Sequence, residues 1–197
     1  MNWFLIIKIV KKTYRQSLIN QRNALNVDEV MSLSSKIVAN FFQSPEAIKI
    51  STLASYKAIN KEVNLDQLSE ERSQKFKILT FPVIGANHNI DLVMPDIDSK
   101  FKRNKYGILE PCNGKIVELK NHDAIIVPTV GVDKNGYRLG YGGGYYDRFL
   151  APIKKMKNKP KILGLVFNFQ LINKAINEDH DIKFDKIYTE DSSLDFF

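Results

Sequence analysis

Between residues 131 and 148 the chain reads Gly131-Val-Asp-Lys-Asn-Gly136-Tyr-Arg138-Leu139-Gly140-Tyr141-Gly142-Gly143-Gly144-Tyr145-Tyr146-Asp147-Arg148. Five of the ten glycines fall between Gly136 and Gly144, after the apolar run Ala124 to Pro128 and before a stretch that reads as helix through Leu150. Glycine brings backbone N–H groups close to a ligand, and donors at a helix start favour phosphate. Arg138 adds a permanent charge able to bind an oxyanion through two parallel hydrogen bonds. The chemistry suggested is anion binding. The segment has no G-x-x-x-x-G-K-[ST] and lacks the βαβ context of a dinucleotide fingerprint, so it is neither of those nucleotide loops. A plain surface hairpin is the alternative reading of the same composition.

A second set of cations lies near the start. Residues 4 to 25 contain few helix breakers, and at 100° per residue Lys8, Lys11, Arg15 and Arg22 fall within an arc of about 60° beside the apolar stripe of Val10, Tyr14, Leu18 and Leu25. A basic row bordering a buried face either looks into a cleft or is an ordinary solvated edge.

The elements that must position these groups alternate along the chain. Asn26-Val-Asp-Glu29 reads as a capping box opening a second helix to about Phe42, which Ser44-Pro45 stops. Strand-like runs follow at Ile48 to Tyr56, Phe76 to Val83, Ile125 to Val127 and Ile162 to Phe167, with a helical stretch at Asn64 to Arg72. Asp91 to Met94, Ile116 to Leu119 and, at a sheet edge, Lys186 to Thr189 are weaker strands. Strands alternating with helices predict an α/β sheet covered by helices. The 197 residues carry 44% hydrophobic and 26% charged residues, enough for one domain with a sizeable core.

Composition also excludes. One cysteine, Cys112, rules out a disulfide scaffold and suits a reducing, cytoplasmic setting. The apolar start from Trp3 to Ile7 is interrupted by Lys8, far short of a membrane span, and has no cleavage signal; residues 1 to 7 read as an N-terminal extension. With 29 Lys+Arg against 22 Asp+Glu the net charge is +7, which favours anionic partners without choosing among them. A basic nucleic-acid-binding domain is the competing class, but single-strand-binding patterns are missing and the cations cluster at candidate phosphate sites. His88, His122 and His180 lack metal-ligand spacing.

Arg138-Leu-Gly-x-Gly-x-Gly144-Tyr-Tyr-Asp147, with its flank Asp133-x-x-Gly136, resembles the signature of the 5-formyltetrahydrofolate cyclo-ligase family, also called 5,10-methenyltetrahydrofolate synthetases. The resemblance extends from about Lys11 to Glu190, through Lys11-x-x-x-Arg15, Tyr56, Glu62-Val63, Tyr106-Gly-Ile-Leu-Glu110-Pro111, Phe167-x-x-Gln170, His180-Asp181 and Asp185. It implies a single-domain three-layer α/β/α sandwich like the ribose-5-phosphate isomerase and CoA-transferase group. It further implies conversion of 5-formyltetrahydrofolate to 5,10-methenyltetrahydrofolate, with ATP and Mg²⁺ as cofactors and ADP and phosphate released. On that route the γ-phosphoryl group passes to the formyl oxygen, and N10 attacks the activated carbon.

The residue roles that the resemblance implies are these. Arg138, Lys11 and Tyr145 act in catalysis. ATP is held by Lys11, Arg15 and the run Arg138, Leu139, Gly140, Tyr141, Gly142, Gly143, Gly144, Tyr145 and Tyr146. The folate meets Lys57, Glu62, Tyr141, Gly142, Gly143, Gly144 and Tyr145, with Glu62 accepting two hydrogen bonds from the pterin edge and Tyr145 packing on its face. Asp147 and Asp185 bind Mg²⁺, while His180-Asp181 orders the loop before Asp185. Three positions depart from the family pattern: Lys57 stands where an apolar residue is common, Asn64 replaces an Asp, and Thr129 a Gly. The expected partner is 5-formyltetrahydrofolate, with a polyglutamate tail compatible with the positive charge; no nucleic acid, no membrane and a monomer are expected.

Overall fold

The computed structural model describes residues 3–70, 75–86, 89–178 and 180–196; His88 and the end of the 64–72 stretch lie outside them. Helix α1 spans Trp3–Ala24 and α2 Val27–Phe42. The capping box between them is formed as the sequence predicts: Glu29 N donates to Asn26 Oδ1 (2.9 Å) and Asn26 N to Glu29 Oε2 (2.7 Å). Ser44-Pro45 ends α2 and also starts a short helix, α3 (Pro45–Lys49), because Ser44 Oγ accepts from Ala47 N and Pro45 occupies the first turn. The strand expected from Ile48 therefore begins only at Thr52.

Thirteen strands are described: β1 (Thr52–Ala54), β2 (Ile78–Ile84), β3 (Ile90–Pro95), β4 (Phe101–Arg103), β5 (Leu109–Pro111), β6 (Gly114–Ile116), β7 (Ala124–Ile126), β8 (Gly131–Asp133), β9 (Arg138–Leu139), β10 (Lys161–Leu165), β11 (Leu171–Ile172), β12 (Lys186–Tyr188) and β13 (Ser193–Asp195). Helices α4 (Asp66–Glu70) and α5 (Tyr145–Leu150) complete the elements used below. Eight strands form the main sheet in the order β13-β12-β10-β7-β1-β2-β3-β6. Its centre, β12 to β2, is parallel, and antiparallel strands flank it on both sides. The last strand read from the sequence is thus not at the edge, since β13 pairs outside it. Ile116 ends β6, and Leu119 opens a short 3₁₀ turn rather than extending a strand.

Side-chain alternation makes the layers. Leu53, Ala124, Ile126, Leu163, Leu165 and Tyr188 face α2, packing with Ile37, Val38 and Phe41. Their neighbours Ala54, Ile125, Val127, Ile162 and Ile187 face the other way, onto Leu150, Ile153 and Phe184. Strands buried on both faces read as continuous apolar runs, which is how they were legible in the sequence. The result is the expected α/β sandwich, a large central sheet flanked by helices. A smaller sheet, β11-β8-β9, packs against α1 through Leu18, Val130, Leu139, Ile172 and Ile176. That contact carries the cationic row of α1 to the glycine segment. Among the described residues no helix is long and apolar enough to cross a membrane.

Candidate active site

Two hollows adjoin at the carboxyl ends of the parallel strands, the usual ligand position in an open α/β sheet. The larger, about 710 Å³, is walled by Lys8, Lys11 and Arg15 of α1, by Leu139, Gly140 and Gly142, and by Asp147, Arg148 and the 178–181 loop. The smaller, about 320 Å³, is largely apolar; Tyr56, Lys57 and Glu62 follow β1, Pro82 and Ile84 end β2, and Pro128 follows β7. Arg138 and Gly144 line both.

Arg138 sits in this shared wall, 6% exposed. Its Nη1 donates to Pro128 O (3.1 Å) and its Nη2 to Asp147 Oδ2 (3.2 Å), while the buried Nε has no protein partner. Gly140 is needed for this placement, because a Cβ there would lie 2.5 Å from the guanidinium. Gly144, at φ 66°, turns the chain in the left-handed region to start α5. That helix has only six residues, so the field in the larger hollow comes from side-chain cations more than from a helix dipole.

The row on α1 does look into a cleft. Lys11, nearly buried, donates to Glu178 Oε2 (2.6 Å) and Asp181 Oδ2 (2.5 Å), and Arg15 Nε donates to Gly140 O (2.8 Å). Burial, and then the neighbouring Arg138, lower the Arg15 pKa from its ordinary value. The hydrogen bond from Lys11 holds the Glu178 carboxyl below the usual range. Arg22 is separated from this group: it is buried two turns further along the helix, on the side of the smaller hollow.

The two expected metal ligands are not brought together. Asp147 faces the larger hollow, but Asp185 lines a separate one beside Phe184, Lys186 and Phe196. Its Oδ2 accepts from Ile162 N at 2.7 Å, bracing the start of β10. The physical reason is topological: Asp185 immediately precedes β12, a parallel strand, and so lies at the amino edge of the sheet, opposite the ligand edge. The carboxylates that join Asp147 at the larger hollow are Glu178 and, more buried, Asp181. Asp181 orders its loop as expected, with Oδ2 accepting from Glu178 N (2.7 Å), and it also holds Lys11. Ligand atoms of Glu178, His180 and Asp181 lie within 4.8 Å of one another, so His180 has metal-capable neighbours that its spacing among the histidines did not reveal. His122 is structural, bonded to Thr80 Oγ1 (2.9 Å).

The glycine segment runs along the wall between the hollows, so its residues divide between them. Leu139, Gly140 and Gly142 face the basic side only, whereas Tyr141, Gly143, Tyr145 and Tyr146 face the apolar side. The tyrosines expected on the nucleotide line the apolar hollow instead, Tyr141 with its ring still partly in water, and Gly142, expected on the folate, lines only the basic one. Tyr146 packs its ring 5.7 Å from the Arg138 guanidinium carbon. Tyr145 Oη lies 2.5 Å from Tyr106 Oη on the β4–β5 hairpin, closing one side of the smaller hollow. Glu62, 5% exposed, accepts from Ile59 N (3.1 Å) and Tyr141 Oη (2.8 Å). Burial pushes its carboxyl pKa up against these bonds.

The departures are accommodated. Lys57 lays its stem along the apolar hollow and sends its ammonium to Asp66 Oδ1 (2.8 Å), between the rings of Phe81 and Phe101. Asn64 starts α4 by accepting from Asp66 N (2.8 Å), and Thr129 spends its hydroxyl on Gly131 O (2.7 Å).

Fold and site together define an α/β protein in which a basic hollow adjoins a mainly apolar one, with an arginine in the partition. A sequence profile of the 5-formyltetrahydrofolate cyclo-ligase family matches residues 7–190. The chain is 30% identical over 162 residues to a 5-formyltetrahydrofolate cyclo-ligase of Mycoplasma pneumoniae (81% of this chain, 87% of the relative). It is 26% identical over 200 residues to that of Mus musculus (94% and 96%). The solved structure of an Aquifex aeolicus 5,10-methenyltetrahydrofolate synthetase superposes with a TM-score of 0.82 at 31% identity, covering 95% of this chain and 93% of the other. The chain belongs to the 5-formyltetrahydrofolate cyclo-ligase family.

Proposed function

We propose that the chain converts 5-formyltetrahydrofolate to 5,10-methenyltetrahydrofolate at the expense of ATP, with the nucleotide in the basic hollow and the folate in the apolar one. The observation that carries this reading is Arg138, whose side chain lines both hollows. Phosphoryl transfer asks a protein for positioning and charge stabilisation more than for a nucleophile. When bound, ATP supplies the phosphoryl group that makes the formyl oxygen a leaving group, and Mg²⁺ neutralises charge on the phosphate oxygens. Lys11 and Arg15 bind phosphate charge, and Arg138, with an unspent Nε–H, stabilises charge at the partition. Glu62 orients the pterin edge, and Tyr145 packs beside the ring system. Hard carboxylate oxygens suit Mg²⁺, and Asp147, Glu178 and Asp181, the carboxylates that line the nucleotide hollow, are the groups that would hold it.

The test is to mix purified protein with 5-formyltetrahydrofolate, Mg²⁺ and ATP, following methenyl absorbance and ADP together and omitting each component in turn. Product should form only in the complete mixture, one ADP per methenyl group; methenyl formation without nucleotide would refute the reading.

Two variants separate the metal ligands. Asp147→Asn is expected to raise the Mg²⁺ concentration needed for half-maximal rate by about tenfold, roughly the loss of one charge-assisted contact. Asp185→Ala should leave that requirement unchanged and instead cost about 1–2 kcal/mol in thermal or denaturant unfolding, by freeing the Ile162 N–H. A metal requirement shifted by Asp185→Ala alone would restore the pairing inferred from sequence. Lys57→Met keeps the apolar stem and removes an ammonium already occupied by a half-exposed carboxylate, so the folate KM should change by less than about threefold. A tenfold rise would mean that the ammonium touches the ligand.

A further inference from the structure

Arg22 lies on the same face of α1 as Lys11 and Arg15 but lines neither hollow, and at 1% exposure it is the most deeply buried arginine among the described residues. Its Nη2 donates to Tyr141 Oη, whose own proton goes to Glu62 Oε1 at 2.8 Å. The guanidinium carbon stands 5.5 Å from the centre of the Tyr141 ring. Nε and Nη1 have no protein partner. A cation withdrawn from water with two donors unspent is costly unless a buried opposite charge compensates it.

Glu62 is that charge. The titratable groups acting on it are Arg22 from α1, Tyr56 after β1, Tyr141 and Tyr146 from the glycine segment and α5, and Arg138 from β9. The cations among them are Arg22 and Arg138, and Arg138 is already bonded to Asp147 and Pro128 O. Of the two, Arg22 does more to favour the ionised carboxylate. The same helix end also fixes the backbone beneath Glu62. Asn60 and Lys61 take φ of 48° and 58°, an uncommon conformation for residues with side chains. Lys61 Nζ ties this turn to α1 by donating to Asn23 O (2.6 Å) and Leu25 O (2.5 Å).

We propose that Arg22 is a positioning residue for substrate recognition: acting through Tyr141, it keeps the Glu62 carboxylate charged and aimed into the apolar hollow, so that the end of α1 sets folate affinity and its pH dependence. The proposal rests on the reading that Glu62 receives the pterin edge. An ionised carboxylate accepts both pterin N–H groups, whereas a protonated one presents a donor to one of them. Removing Arg22 raises the pH at which Glu62 gives up its proton, so recognition is lost at low pH and returns as pH rises.

The experiment measures the folate KM from pH 6 to 9 for wild type, R22M, R22K, Y141F and E62Q, alongside a ¹³C NMR titration of the Glu62 carboxyl in the ligand-free protein. R22M should raise KM about thirtyfold at pH 6.5 and approach wild type by pH 9, and its Glu62 titration midpoint should move up. R22K should recover most of the loss. Y141F should shift both readouts in the same direction but less, and E62Q should give a high KM that pH does not change. A KM raised by one constant factor across the range in R22M, as a merely structural defect would give, overturns the proposal. So does an unmoved Glu62 midpoint. If R22M does not fold, Y141F decides: wild-type KM and midpoint there overturn it. If E62Q leaves KM at the wild-type value while the midpoint still moves in R22M, the folate reading of Glu62 fails and the proposed control of recognition falls with it. If E62Q raises KM and the midpoint stays, the proposal alone fails.

Discussion

Arg138→Ala is expected to lower kcat by about a thousandfold, the low end of what removing an arginine costs at a transferring phosphoryl group. The side chain stands in the partition between the hollows, held by Pro128 O and Asp147, with Nε unspent. A charge fixed there adjoins both hollows and, on the proposed reading, needs no reorganisation during the reaction, which is why preorganised groups contribute so much to rate. Arg138→Lys should recover only part of the loss, because an ammonium has no planar fork to span Pro128 O and Asp147 while still presenting a donor. Steady-state kinetics with saturating ATP and folate test this, and thermal unfolding of each variant distinguishes lost chemistry from the destabilisation of leaving Asp147 unpaired. A kcat within tenfold of wild type in folded Arg138→Ala would place the reacting groups elsewhere.

Glu62→Ala should produce the second largest effect, and on a different parameter. On the proposed reading two charge-assisted hydrogen bonds to the pterin edge are lost, and a net loss of about 2.7 kcal/mol corresponds to about a hundredfold in the folate KM. The ATP KM should stay within about threefold, since Glu62 lies across the partition from Lys11 and Arg15. Measuring both constants in one series separates this from general damage: a parallel rise in the two would point to collapse of the wall rather than to lost recognition.

Part of this organisation was legible without coordinates. The Asn26 and Glu29 box, the apolar runs of β7 and β10 and the cationic face of α1 are local patterns, and local patterns survive folding because backbone hydrogen bonding and side-chain periodicity act within a few residues. The glycine segment was legible for a similar reason: Gly140 must admit a guanidinium and Gly144 must take a positive φ, and few other residues meet those demands. Two-residue and three-residue strands such as β9, β11 and β13 were not, since nothing but their partners makes them strands. The place of Asp185 meets the same limitation. Its neighbours in sequence cannot say at which edge of the sheet a parallel strand begins.

The chain's own order of residues therefore determined the family, the α/β class and the presence of Lys11, Arg15, Glu62, Arg138 and Asp147 as chemically apt groups. Tertiary structure alone decided how they are shared out: cations on one face of a wall, tyrosines and Glu62 on the other, Asp181 in the cleft and Asp185 outside it, and Arg22 buried behind Tyr141. The reason is that a residue's type and spacing specify what it is able to bind, while the direction in which it points depends on strand polarity and helix docking between segments more than a hundred residues apart.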